Sequence, residues 1–151
     1  MVEEADSIRC MQMPLMGMQM LLPNSAVAEI IGYDRALMQA GDSGPLLGHM
    51  SWRGVTVPVV SLEVLCGNPM EDPGGRSRVA IVYHPDGDHD LPYIGILLQD
   101  IPRAYLAESQ RLLGKGEATD CPYLTFRIEA MIDDYVLPDV DAIFAAIRGM
   151  G

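Results

Sequence analysis

The sequence predicts a mainly β fold, two small barrel-like groups of short strands with short helices at their margins. Three observations predict it. Short apolar runs rich in Val, Ile and Leu recur along the chain, bounded by Gly, Pro, Asn and Asp. A stretch dense in glycine and proline, Gly67 to Ser77, separates these runs into two groups. The chain has 151 residues, 49% of them hydrophobic and 21% charged, enough apolar material for one domain with a real core and too little charge for disorder.

Met1 to Asp6 is acidic and reads as a frayed end. Ile8 to Leu15 and Met18 to Leu22 read as a hairpin turning at Gly17, in which Met11, Met13, Met18 and Met20 are flexible core fillers. Asn24 or Ser25 is expected to cap a short helix running to Ile31, with Gly32 after it. Tyr33 to Leu47 reads as a loop, with a helical turn at Arg35 to Gln39. Met50 to Leu65 supplies two strands around a Trp52-Arg53-Gly54 corner. Pro58 lacks a ladder donor and points to an edge strand or a bulge. Arg78 to Tyr83, Leu91 to Leu98 and Ile101 to Tyr105 follow as strands, the first two joined through Asp86-Gly87. Ala107 to Thr119 is weakly patterned. Pro122 to Met131 and Tyr135 to Leu137 form a further hairpin around Asp133-Asp134. Asp139 caps a final helix, Val140 to Arg148, with Ile143, Phe144 and Ile147 on one face.

The formal net charge of −11 argues against nucleic-acid binding and against docking on an anionic membrane, since both are made by Lys and Arg. Cys10, Cys66 and Cys121 are an odd number, far apart and without a C-x-x-C, which predicts reduced thiols in a cytosolic compartment. Secretory-signal patterning is not visible, and the apolar runs fall well short of a membrane helix of about 20 residues. A cytoplasmic location follows as the expectation, with no direct membrane insertion.

Most segments that suggest chemistry fail on inspection. Gly41-Asp42-Ser43-Gly44-Pro45-Leu46 resembles the nucleophile segment of trypsin-like serine proteases, but His49, His84 and His89 all follow Ser43, where that family's base precedes it. His84 to Asp90 concentrates histidine and aspartate, and a small metal- or ligand-binding β-barrel using this loop is the alternative function. Its Asp86, Asp88 and Asp90 start like a calcium loop, yet Leu91 stands where the glycine belongs and Leu97 where the bidentate glutamate belongs, so a solvated turn is favoured. Gly114-Lys115-Gly116 lacks the upstream glycine and the following Ser or Thr of a phosphate loop. Asp133 and Asp134 read as turn residues. Catalytic residues, metal ligands and cofactors are therefore not assigned, and surface recognition remains.

One ordered set of segments carries a resemblance. Gly48, Arg53, Gly54 and the Val57-Pro58-Val59-Val60-x-Leu62 run are similar to the core signature of CheW-like chemotaxis coupling proteins. Val27 to Tyr33 resembles the family's first helix and its exit. Arg78 to Val82 and Gly95 to Ile101 resemble two of its strands, and Val136 to Ile147 its closing strand and helix. The resemblance implies one CheW-like domain over residues 1–151, of two intertwined SH3-like five-stranded β-barrel subdomains dividing near the 67–77 loop. It also implies a non-catalytic adaptor in a two-component chemotaxis pathway, binding the cytoplasmic tip of a chemoreceptor and the regulatory domain of a CheA-type histidine kinase. Carried over by position, Val27, Ile30 and Arg53 fall on the receptor face, and Glu29, Gly48 and Val57 on the kinase face. The Leu21-Leu22-Pro23-Asn24 lead also resembles coupling proteins of type IV pilus systems, which drive twitching motility. Ser61 stands where the family usually has Asp, and Trp52 where it has a small or aliphatic residue. Absent the family, Trp52 reads as a core residue and Arg53 as the partner of a nearby acid.

Overall fold

The computed structural model describes residues 7–15, 17–34, 39–69, 73–87, 90–108, 116–118, 121–129 and 134–150. The chain opens in one sheet, leaves it for a second, and returns. β1 (Ser7–Leu15) and β2 (Met18–Pro23) form the expected hairpin. A 3-10 turn at Asn24–Ala26 leads into β3 (Val27–Gly32), then β4 (Gln39–Ser43), β5 (Leu46–Trp52), β6 (Val55–Val60) and the short helix α1 (Leu62–Leu65). β7 (Arg78–Tyr83) and β8 (Tyr93–Leu98) complete the second sheet. β9 (Arg103–Glu108), β10 (Gly116–Ala118), β11 (Leu124–Glu129), β12 (Asp134–Pro138) and the helix α2 (Val140–Met150) follow.

The strand order is β10-β11-β12-β2-β1-β9 in the first sheet and β3-β7-β8-β6-β5-β4 in the second, six strands each where five were expected. Among the described residues each sheet is open rather than closed into a barrel. Each contains one parallel pair, β12 with β2 and β6 with β8, and antiparallel pairs elsewhere. The 67–77 loop does not separate the sheets, because β7 and β8 rejoin β3 and β6. The chain changes sheets after β2 and after β8 instead.

The main core lies between the sheets. β1 and β2 contribute Met13, Leu15, Met20 and Leu22, while the second sheet contributes Val60, Ala80, Val82, Ile94, Ile96 and Leu98. Leu62 of α1 and Ile143, Phe144 and Ile147 of α2 pack into the same core, with Leu46, Cys121, Leu124 and Val136. Met13 and Met20 are fully buried and Met11 and Met18 pack partly against them, as core fillers should. The second sheet is buried on both faces. Ala80 and Val82 face the main core, whereas Val79 and Ile81 face a second cluster with Met50, Trp52, Val57 and Val59. A third cluster of Cys10, Leu21 and Tyr135 backs the first sheet.

Several expectations are corrected. The segment after Asn24 is a strand, not a helix: no side chain caps the 3-10 turn, and β-branched Val27, Ile30 and Ile31 pair along β7. Leu62 to Leu65 is helical rather than a continuation of β6, because Ser61 Oγ accepts the Val64 N–H at 3.2 Å as an N-cap. Pro58 lies in an interior strand. Pairing with β8 starts only at Val59, so the ladder on that side needs no donor from the proline. Gln39 to Ser43 is a strand, and the helical turn expected from Arg35 lies largely outside the described residues. Cys66 and Cys121 are not free thiols but a disulfide, since separation along the chain does not bear on separation in space. The final helix is as read: Asp139 Oδ1 accepts the Ala142 N–H at 3.1 Å, and Ile143, Phe144 and Ile147 are buried. Among the described residues no helix is long and apolar enough to cross a membrane.

Candidate recognition surface

The β5–β6 hairpin closes in two residues. Trp52 and Val55 are paired across it, and Arg53 and Gly54 turn the chain with φ of +48° and +77°. Positive φ at both central positions matches the right-handed twist of the flanking strands. Glycine adopts it freely, but for arginine the left-handed region costs roughly 1–2 kcal/mol. Arg53 is the one non-glycine residue with positive φ among those described. Such a conformation persists where neighbours hold it, and it marks a site worth a functional hypothesis.

Glu29 of β3 holds it. Glu29 Oε1 accepts a hydrogen bond from Arg53 Nη2 at 2.9 Å and another from Trp52 Nε1 at 3.1 Å. The guanidinium also lies over the indole, with Cζ 4.8 Å from the ring centroid. An exposed ion pair and an exposed cation–π contact each contribute on the order of 0.5–1 kcal/mol, together enough to offset the turn's cost. Trp52 is buried at 8% accessibility, whereas the Arg53 side chain stays 68% exposed and that of Glu29 39%. The guanidinium is thus both anchored and reachable. Tyr93 meets the indole edge-on at 4.9 Å, and Tyr83, itself exposed, leans on Tyr93 at 5.6 Å. These rings extend an aromatic strip across β5, β8 and β7 beside the charged pair.

A bulge sorts the remaining β3 residues. Val27 pairs with Val82, but Glu29 already pairs with Ile81, so Ala28 is extra. Paired residues share a face. Val27 and Ile30 therefore turn toward the main core side with Val82 and Ala80, whereas Glu29 turns toward the Trp52 side with Ile81. β3 is an edge strand, and Val27 and Ile30 are half-buried on it.

The residues grouped from sequence are arranged differently in space. Glu29 and Arg53, expected on separate faces, are bonded to each other. Val57 is fully buried opposite Met50, and Gly48 is buried beside the β5 bulge, so neither presents a side chain outward. The Glu29–Arg53 contact spans 24 residues, and no spacing rule reaches that far.

The other candidate segments stand apart. His84 Nδ1 accepts the Asp86 N–H at 3.0 Å, and its ring packs edge-on against Phe144 at 4.5 Å. Asp88 and His89 lie outside the described residues, and among those described no group of three His, Cys, Asp or Glu residues could hold a metal. Gly44 and Pro45 turn the chain between β4 and β5. Lys115 and Asp133 lie outside the described residues. An open cleft of about 360 Å³ between β5, β6 and α2, lined by His49, Pro58, Ile147 and Arg148 among others, includes none of the Glu29 corner.

The sequence model of the CheW-like domain matches residues 9–105, a span that includes the whole corner. No curated protein matches the chain. Among solved structures, the crystal structure of the scaffolding protein TtCheW from Thermoanaerobacter tengcongensis is similar, with a TM-score of 0.73 at 14% sequence identity. The match covers 91% of this chain and 87% of that one. At this identity the likeness bears on the fold.

Proposed function

The chain belongs to the CheW-like domain family, whose members are scaffolds of chemotaxis signalling, and from that premise we propose that it is a non-catalytic adaptor coupling a methyl-accepting chemoreceptor to a CheA-type histidine kinase. The observation that carries this reading is the exposed, anchored Arg53 at the family's Arg-Gly position. A planar guanidinium held in one place can meet a carboxylate or a row of carbonyls with little loss of side-chain freedom. Arg53 serves the receptor tip together with Val27 and Ile30 of edge strand β3, where a helical hairpin packs with apolar anchors and a polar rim. Glu29 belongs to the kinase-facing set, with Gly48 and Val57 shaping the hairpin from behind. Two surfaces on one rigid scaffold raise the local concentration of kinase at the receptor without any chemistry of the adaptor's own. The adaptor is cytoplasmic and reaches membrane arrays through the receptor. Its output is flagellar chemotaxis or, following the Leu21-to-Asn24 lead, twitching by type IV pili.

Calorimetric titration with the kinase regulatory domain and with a receptor cytoplasmic fragment from the same genome tests the reading. Saturable binding near 1:1 to both is expected. Arg53→Ala is expected to fold normally and to weaken receptor binding about tenfold or more. An unchanged receptor affinity in that variant removes Arg53 from the interface, and no binding to either partner removes the adaptor reading.

A further inference from the structure

Cys66 and Cys121 flank strands of opposite sheets. Cys66 is the C-cap of α1, reached directly from β6, while Cys121 opens the turn that leads into β11. Their Cα atoms are 5.2 Å apart across 55 residues of sequence. On the Cys121 side, the Leu124 N–H donates to Cys121 O at 3.1 Å, and the Asp139 N–H donates to Tyr123 O at 2.8 Å. The same turn therefore carries both β11 and the start of α2. On the Cys66 side, α1 is set by the Ser61 cap and by Gln99 Nε2, which donates to buried Glu63 Oε2 at 2.9 Å. Cys66 is half-buried and Cys121 buried against the main core. The third cysteine, Cys10, is buried behind the first sheet, and burial pushes its thiol up, so it stays protonated and out of exchange.

We propose that Cys66 and Cys121 are a reversible thiol–disulfide couple that fastens β11, β12 and α2 to the second sheet when oxidised and releases them when reduced. In reduction, a thiolate of a dithiol reductant attacks Sγ of Cys66, the less buried residue of the pair. The Cys66–Cys121 bond breaks, and Cys121 leaves as a thiolate that takes up a proton. The reductant's second thiol then displaces Cys66, which also leaves protonated. Two electrons have passed to the protein and the reductant ends as its own disulfide. Oxidation is the same exchange in reverse, with a disulfide-class oxidant reduced to two thiols. The inference rests on the position of the two cysteines and is independent of the adaptor reading.

The test equilibrates the full chain with reduced or oxidised dithiothreitol, counts thiols by maleimide mass-tagging after denaturation, and follows melting and amide hydrogen exchange. In the oxidised protein one thiol, Cys10, is expected to label, and a Cys66–Cys121 peptide should appear in the non-reducing digest. Reduction is expected to lower Tm by on the order of 10 °C, as the loss of a crosslink closing a loop of this length implies. Exchange should rise first in β11 and β12 while β7 and β8 stay protected. Cys66→Ser and Cys121→Ser should melt with the reduced wild type and ignore the redox buffer. Should either serine variant fail to fold, Cys10→Ala carries the same comparison with only the couple present. Three labelled thiols in the folded protein under oxidant overturn the proposal, as does a bond that forms without changing either Tm or the exchange of β11 and β12.

Discussion

Arg53 holds a backbone conformation that its own stereochemistry disfavours, and Glu29 and Trp52 supply what keeps it there. From the sequence, the chemistry of this corner was legible and its partner was not. A Trp-Arg-Gly turn ahead of an apolar strand is a local pattern, so the buried Trp52 and an acid for Arg53 could both be expected. Which of 21 acids pairs with it depends on β3 lying across β7 and β8 from the hairpin, and no local pattern encodes that. A second residue-scale contact makes a pH prediction. Asp100 Oδ1 accepts the Ile101 N–H at 2.6 Å and Arg76 Nε at 2.8 Å. Chiefly through the backbone hydrogen bond, and then through Arg76, its carboxyl is held below the usual range. A depressed folded pKa contributes stability above the unfolded value of about 4 and loses it as pH falls through the folded value. Wild type should therefore melt above Asp100→Asn at pH 6, and the two curves should converge as pH is lowered from about 4 toward 2. A difference in Tm that does not change with pH contradicts this assignment.

β8 shows at the scale of an element what packing demands of a strand. Gly95 lies in its middle, paired with Ile81 on one side and Val59 on the other. A Cβ added there would sit 2.8 Å from Val79 Cγ1 and 3.1 Å from Val59 Cγ2. Both neighbours are valines, stiff at χ1, so neither can swing aside cheaply. Gly95→Ala is expected to lower stability by about 1–3 kcal/mol in urea unfolding without altering the sheet. No change in the midpoint shows that the neighbouring strands yield. β1, β2, β7, β8 and β11 are legible because what marks them is local: alternation in β11, continuous apolar runs in β7 and β8, which are buried on both faces, and turn residues at their ends. The sequence of β3 reads as a helix because Val27, Ile30 and Ile31 also fit a helical face, and the bulge at Ala28 breaks the alternation that marks a strand. β10 is not legible because a three-residue strand carries too little pattern, and the apolar run from β6 masks α1.

As a whole, the molecule is two sheets with one core between them. The strand groups were visible in the sequence, but their membership was not. The 67–77 loop looks like a boundary by composition, yet the pairing of β7 and β8 with β3 and β6 makes it an excursion within one sheet. Because the main core takes residues from both sheets and both helices, the oxidised protein should unfold in one step. Trp52 emission reads the second sheet and far-UV circular dichroism reads both, so their melting curves should coincide. Two separated midpoints would show that the sheets are independent units. The same threading has a consequence for synthesis on the ribosome. The β1–β2 hairpin emerges first, with its apolar methionine and leucine side chains, but β9 begins 80 residues after Pro23 and β12 only at Asp134. At about 5–20 residues per second, the hairpin waits roughly 4–16 s for its first neighbour and longer for its second. The second sheet can assemble in that interval, and its Ala80, Val82, Ile94 and Ile96 face offers the nascent hairpin its earliest native cover.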